Sequence, residues 1–306
     1  MQIVKGIIQL SEVKRVNLKD IPRFSTGIKE LDSVCGGIRM GETSVFTGKR
    51  GHGKSTMCSQ LMNEAIDQDF KVCAYSGELQ ASAYQRWAHN QMLGTKFLDF
   101  EYDKFKDAQV AYSSNKMDRV LQKWYHNKYF IFDNTLKDFP AEQVNIIKVF
   151  EEAHEKLGCN VFLADNLMVI KSLSPTKERD FYRAQSEFML ELMRFSKRTS
   201  SHVMVVAHPR KTDNELTDDD VAGSGDIINS TDNLFIFERL FDDPSIAARI
   251  TVKKNRIYGD VNARINLTYD PDSKRFAHYS RPENLDRMYG CHRLFEGEQQ
   301  KLEFPF

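Results

Sequence analysis

Short runs of apolar and β-branched residues alternate with longer amphipathic stretches through the middle of this 306-residue chain. The apolar runs fall at 43–47, 72–76, 129–133, 161–165, 203–207 and 234–237. They read as continuous rather than alternating, which predicts strands buried on both faces. Between them, apolar positions recur at helical spacing and predict helices at 55–68, 81–93, 141–157 and 181–199. Strands and helices in this alternation predict an α/β fold, a mostly parallel central sheet flanked by helices. Beyond residue 249 the rhythm shortens to extended pieces at 249–254 and 263–269, which predict antiparallel strands added at the C-terminal edge of the sheet. Residues 94–126 are aromatic and charged and predict helical insertions covering the sheet. Residues 1–23 form an appended segment that Pro22 sets apart from the remainder of the chain, and polar residues 283–306 read as a C-terminal tail.

Composition narrows the class. Apolar residues make up 41% and charged residues 28%, too apolar for a disordered chain. No apolar run approaches the roughly 18 residues of a membrane span, and the first residues lack a secretory cleavage pattern, so a cytoplasmic protein without a membrane partner is expected. Five cysteines (Cys35, Cys58, Cys73, Cys159, Cys291) are scattered without a CxxC, which argues for a reducing compartment and against structural zinc or a disulfide framework. Lys+Arg and Asp+Glu both number 43. That balance excludes a uniformly basic nucleic-acid coat but leaves room for a local grip.

The most specific local signal is Gly48-Lys-Arg-Gly-His-Gly-Lys-Ser55, which fits G-x-x-x-x-G-K-[ST] between a predicted strand and a predicted helix. Gly48, Gly51 and Gly53 permit backbone angles that aim N–H groups at phosphate oxygens, and the helix adds its positive end. Lys54 is then expected to reach the β/γ-phosphates and Ser55 to complete an Mg²⁺ shell, with Thr56 next in the nucleotide-binding turn. Asp165 ends an apolar strand, where it suits metal coordination, although a strand-terminal Asp is as often a turn starter. Glu78 follows the strand after the P-loop helix and could orient and deprotonate a water. His208 closes the 203–207 strand, a position for sensing a γ-phosphate, though a lone His there is more often structural. All these residues converge on the carboxyl edge of the sheet, where α/β proteins bind ligands.

Several stretches together resemble a known family. Thr26-Gly-Ile-Lys-Glu-Leu-Asp32 and Gly36-Gly-Ile-Arg-Met-Gly-Glu42 before the P-loop look like the entry to a RecA-type ATPase core. Ala164-Asp-Asn-Leu167, Ala207-His-Pro-Arg-Lys211 and Lys254-Asn-Arg-Ile-Tyr-Gly-Asp-Val261 come after it in that order. The chain from about Arg23 to about Tyr279 is similar to the replicative helicases that include the Twinkle helicase domain, the helicase half of bacteriophage primase–helicases and, more distantly, DnaB. The resemblance implies a RecA-like domain over 24–282 that hydrolyses ATP with Mg²⁺ at subunit interfaces and moves on single-stranded DNA as a ring, usually a hexamer. It implies Lys54, Glu78 and His208 in catalysis, Ser55 and Asp165 on the metal, and Arg256 as an arginine finger in a neighbouring subunit's site, with Lys254 beside it. Arg239 and Tyr269 resemble the pair that sandwiches the base, chemically sensible for a guanidinium and a ring; packing at strand ends is the competing account.

The same resemblance puts DNA contact on Arg210, Lys211 and the Gly223-Ser224-Gly225 turn. Five carboxylates between Asp213 and Asp220 weaken that grip unless they point away from the pore. Apolar positions in residues 3–19 offer a face for a neighbouring subunit or for the chain's own core. Nothing before the core suits a primase region, so a separate primase or other replisome protein is an expected partner, with the protein acting in a bacterial or phage-infected cytoplasm. Two other readings stand beside this one: a RecA-like DNA-stimulated recombination ATPase, and a nucleotide-switch module that loads or regulates. Glu78 and Arg256 argue against the switch, which needs neither a base nor a finger.

Overall fold

The computed structural model describes residues 7–133, 135, 145–166, 178–208, 229–241, 243–259 and 261–295. In chain order, β1 (Arg23–Phe24) and β2 (Ile38–Arg39) pair antiparallel around α1 (Lys29–Cys35), and β3 (Thr43–Thr47) leads into α2 (Lys54–Asp67). Next come β4 (Val72–Ser76), α3 (Ala81–Leu93), the hairpin β5 (Asp99–Asp103) and β6 (Ala108–Tyr112), α4 (Asn115–Trp124) and β7 (Tyr129–Ile131). The second half holds α5 (Ile146–Glu152), β8 (Val161–Asp165), α6 (Glu178–Thr199), β9 (His202–Ala207), β10 (Asn233–Arg239), β11 (Ala248–Asn255), β12 (Ala263–Asp270) and β13 (Arg275–His278).

Nine strands form the main sheet in the order β13-β12-β11-β10-β3-β9-β8-β4-β7. From β10 to β7 every pairing is parallel; β10 to β13 pair antiparallel, the predicted addition at the C-terminal edge. Register sets the level of the strand ends. Thr47 stands opposite Ala207, and Asp165 lies opposite both Ser76 and Val206, so β3, β4, β8 and β9 finish together. Successive residues of β3 feed two different cores, as a strand covered on both faces must. Val45 joins Phe150, Phe188 and Leu192 under α5 and α6, while Phe46 joins Met57, Leu61 and Leu121 under α2 and α4.

Three regions differ from the sequence expectation. Residues 99–112 are a β-hairpin, not a helical insertion, and α4 is the α-helix within the expected 94–126 region. The alternation of Phe100 and Tyr102 with Asp99, Glu101 and Asp103 is a strand period, and Phe105 at its tip is 92% exposed. The expected 129–133 strand shortens to Tyr129–Ile131. Residues 283–295 are not a free tail: Tyr289, Cys291 and Phe295 are buried in the core. That segment is pinned by the buried Arg275, whose guanidinium donates to the carbonyls of Gln91, Met92, Leu285 and Arg287. It is also held by Glu64 of α2, which accepts from the Tyr289 hydroxyl (2.8 Å) and pairs with Arg287. Burial pushes the Glu64 carboxyl up to about 7 against the pull of Arg287. By contrast Ile7, Ile8, Leu10, Val13, Val16 and Leu18 are exposed, so this face does not pack on the chain's own core.

Candidate active site

The loop between β3 and α2 is shaped by two glycines. Gly48 has φ +148°, and a Cβ there would stand 2.0 Å from the Phe237 carbonyl oxygen of β10. Only glycine lets the loop pass so close to the neighbouring strand. Gly53, at φ +101°, starts α2 without a side-chain cap, so the first N–H groups of the helix are left to an anion. Lys54 is buried at 4% exposure and donates to the carbonyls of Gly48 (2.7 Å) and Lys49 (2.8 Å). Desolvation lowers its pKa to about 8, opposed by the carboxylates of Asp165 and Glu78. The ammonium is folded back on its own loop and has only to turn outward to meet a phosphate.

Asp165 sits at the end of β8, 2% exposed. Burial pushes its carboxyl up to about 6 and the Glu78 charge adds to this, while a hydrogen bond with the Ser55 hydroxyl and the Lys54 charge act against it. Its Oδ1 is buried without a hydrogen-bond partner among the described residues. A hydroxyl beside one carboxylate with an unused oxygen fits Mg²⁺, which takes one or two protein carboxylates and fills its shell with phosphate and water oxygens. Glu78 and His208 meet across the same edge, His208 Nε2 lying 3.6 Å from Glu78 Oε1. Asn166, 1% exposed, bridges them: its Nδ2 is 2.5 Å from Glu78 Oε1 and 3.1 Å from His208 Nε2. Burial and the Lys54 charge hold the His208 pKa below its ordinary value against the pull of Glu78, so the imidazole is neutral near pH 7 and can accept from the amide.

Lys54, Ser55, Glu78, Asp165 and His208 line a cavity of about 620 Å³, together with Trp87, Arg239, Tyr269 and Phe276. A volume in this range holds a nucleotide-sized ligand. The Tyr269 ring lies 4.7 Å from that of Phe276, and the Arg239 guanidinium lies 5.3 Å from the Phe241 ring. Gly51, Gly53, Lys54, Ser55 and Thr56 are all in the wall, and Gly48 anchors it through its carbonyl. His52, to which the sequence assigned no chemistry, accepts from the Arg239 backbone N–H (3.1 Å) and ties the loop to β10.

Lys254 and Arg256 do not reach this cavity. The sheet register sets Asn233 against Ser44 and Asn255, so Arg256, next after β11, stands at the amino end of β3, away from Gly48. Arg210, Lys211, Gly223, Ser224 and Gly225 lie outside the described residues. Asn166, Trp87 and His52 are site residues that sequence reasoning passed over. Asn166 alone had a signal, its place directly after the strand-terminal Asp165.

Comparison with known proteins places this geometry in a group. The chain is 33% identical over 95 residues to the DNA repair protein RadA of Escherichia coli, covering 31% of this chain and 20% of that protein. It is 24% identical over 268 residues to a chloroplastic/mitochondrial Twinkle homolog of Arabidopsis thaliana, covering 80% of this chain and 35% of the homolog. It thus spans about a third or less of the length of these curated relatives. Among solved structures, a DnaB-like replicative helicase superposes with a TM-score of 0.64 at 16% identity, over 84% of this chain and 62% of that one, which establishes a shared fold. The family described as the DnaB-like helicase C-terminal domain matches residues 24–278, and the chain belongs to that family.

Proposed function

We propose that this chain is the ATPase motor of a replicative DNA helicase, hydrolysing ATP between copies of itself and translocating on single-stranded DNA as a hexameric ring. One observation carries the reading: Lys54, Glu78, Asp165 and His208 surround one cavity, while Arg256 stands at the opposite edge of the same sheet. A head-to-tail neighbour brings a second copy's Arg256 to the first copy's cavity, and repetition of that contact closes a ring.

The β- and γ-phosphates lie on the loop N–H groups of 48–55, and Lys54 leaves its two carbonyls to meet them. Ser55 and Asp165 would hold Mg²⁺, which when bound would neutralise charge on the phosphates. Glu78 orients a water, whose oxygen attacks the γ-phosphorus as the bond to the ADP oxygen breaks, and the carboxylate takes the proton. Asn166 fixes Glu78 and reads the same event to His208, which starts the segment leading to Arg210 and Lys211. Arg239 and Tyr269 hold the base. The finger from the neighbour stabilises transition-state charge, worth about 10³–10⁵ in rate. DNA contact falls to Arg210, Lys211, Gly223, Ser224 and Gly225, where six copies would line one pore. The exposed apolar positions of residues 7–18 support docking on a neighbouring subunit. A primase acting in trans and a cytoplasmic setting belong to the same reading.

The 95-residue likeness to RadA favours a second reading, a DNA-stimulated repair ATPase. Steady-state ATP hydrolysis with single-stranded DNA titrated in, then strand displacement on a forked duplex, separates the two. Stimulated hydrolysis with displacement supports the motor; stimulation without displacement favours the repair ATPase; hydrolysis indifferent to DNA in assembled protein defeats both.

A further inference from the structure

The edge of the sheet opposite the cavity carries a buried carboxylate that the hydrolysis chemistry leaves unused. Asp232 is 1% exposed and precedes β10. Its Oδ2 accepts from the Thr43 backbone N–H (3.0 Å) and the Thr43 hydroxyl (3.3 Å), at the first residue of the strand that ends in the P-loop. Its Oδ1 lies 2.8 Å from Arg256 Nε and 3.5 Å from Lys197 Nζ. The grip on Arg256 continues along the backbone. The Arg256 N–H donates to the Asp232 carbonyl (3.0 Å), and Nη2 donates to the carbonyls of Thr231 (3.3 Å) and Asn229 (3.5 Å).

A buried carboxylate costs desolvation, which only good geometry and further hydrogen bonds offset. Here one oxygen is spent on the P-loop strand and the other on a side chain that is 51% exposed. Nε and Nη2 are held inward, which turns the rest of the guanidinium toward the surface of this edge. An arginine free to sample its rotamers would lose most of that order. β3 spans about 17 Å at the ordinary strand rise, so Arg256 cannot reach the P-loop of its own chain.

We infer that Asp232 is the positioning residue of Arg256, holding its guanidinium for the γ-phosphate in a neighbouring copy and tying it to the strand that carries its own P-loop. The inference rests on the proposed trans site. Lys197 on α6, 3.5 Å away, and the charge of Lys254 on β11 also act on the carboxylate; Lys197 is held more loosely than Arg256 and contributes charge rather than direction.

The test is steady-state ATP turnover of assembled full-length protein, with nucleotide affinity and Tm measured alongside. Asp232→Asn should lower turnover roughly 10–100-fold, the usual cost of losing a supporting partner, at unchanged nucleotide affinity. Asp232→Asn combined with Arg256→Ala should be no slower than Arg256→Ala alone. Mixing Asp232→Asn protein with inactive Lys54→Ala protein should restore turnover, because an intact P-loop then meets an intact finger. A loss that mixing does not restore, or that multiplies with Arg256→Ala, makes Asp232 structural and overturns the inference. Wild-type turnover in Asp232→Asn with Arg256→Ala inactive also overturns it and leaves the trans site standing. Wild-type turnover in both variants defeats the trans site itself. Should Asp232→Asn fail to assemble, Asp232→Glu keeps the charge but displaces it by a methylene; reduced turnover supports the inference and wild-type turnover overturns it.

Discussion

The two ends of the central sheet solve different problems. At the carboxyl edge, Lys54, Glu78, Asp165, Asn166 and His208 already gather around a walled cavity, with the ammonium satisfied by loop carbonyls. At the amino edge, Asp232 and Arg256 make a bond that opens outward, away from that cavity. One end is a preorganised receptor whose electrostatics are set before a ligand arrives. The other is a half-exposed guanidinium fixed by a buried carboxylate, which the proposed trans site directs at another copy. On the proposed trans site, binding is built into one copy whereas turnover is shared between two.

The comparison can be broken at either end. Gly48→Ala has the largest expected effect: a methyl 2.0 Å from the Phe237 carbonyl must push β10 or the loop aside, so nucleotide binding disappears and Tm falls. Calorimetric titration with a non-hydrolysable nucleotide and a thermal melt check it. Arg256→Ala breaks the other end alone, lowering turnover by about 10³-fold or more while the same titration is unchanged. Retained turnover would mean that no residue of a second copy is needed. Asn166→Ala is smaller, roughly 10–100-fold in kcat with KM little altered, since Glu78 and His208 lose their shared partner.

The finest test is pH. Lys54 titrates near 8 in the free protein, below its ordinary value, so its charged form is disfavoured by folding. Nucleotide affinity should fall as pH rises through about 8, by up to about tenfold per pH unit. Over the same range, from about 8 toward 10.5, the unfolded chain binds the extra proton, so this lysine's cost to stability is relieved. Affinity measured from pH 7 to 9.5 that stays flat would refute the buried-ammonium account.

Much of the preorganised end was legible because its signals are local. The P-loop is eight contiguous residues, and Asp165 and His208 each close a strand whose apolar run announces itself. Asn166 was in plain view but carried no recognisable chemistry until Glu78 and His208 were brought within reach from 88 and 42 residues away. Asp232 was harder still: its partner Thr43 is 189 residues distant, and nothing in Ser-Thr-Asp-Asn marks the Asp as buried. The 99–112 hairpin was misread because aromatic and charged residues were weighed as composition, whereas their order carried a period of two. The burial of Tyr289, Cys291 and Phe295 escaped notice because Arg275 and Glu64, which draw that segment in, lie outside it.

The guanidinium of Arg275 has a practical consequence for anyone dissecting this protein. The family match stops at residue 278, yet two of the four carbonyls that satisfy this buried cation belong to residues 285 and 287. A recombinant fragment trimmed to the family boundary would keep every residue of the proposed catalytic set and still be a poor specimen. It would take away half the acceptors of a 2%-exposed arginine, strip Glu64 of Tyr289 and Arg287, and bare the flank of the helix that begins at Lys54. A fragment ending after residue 295 avoids this.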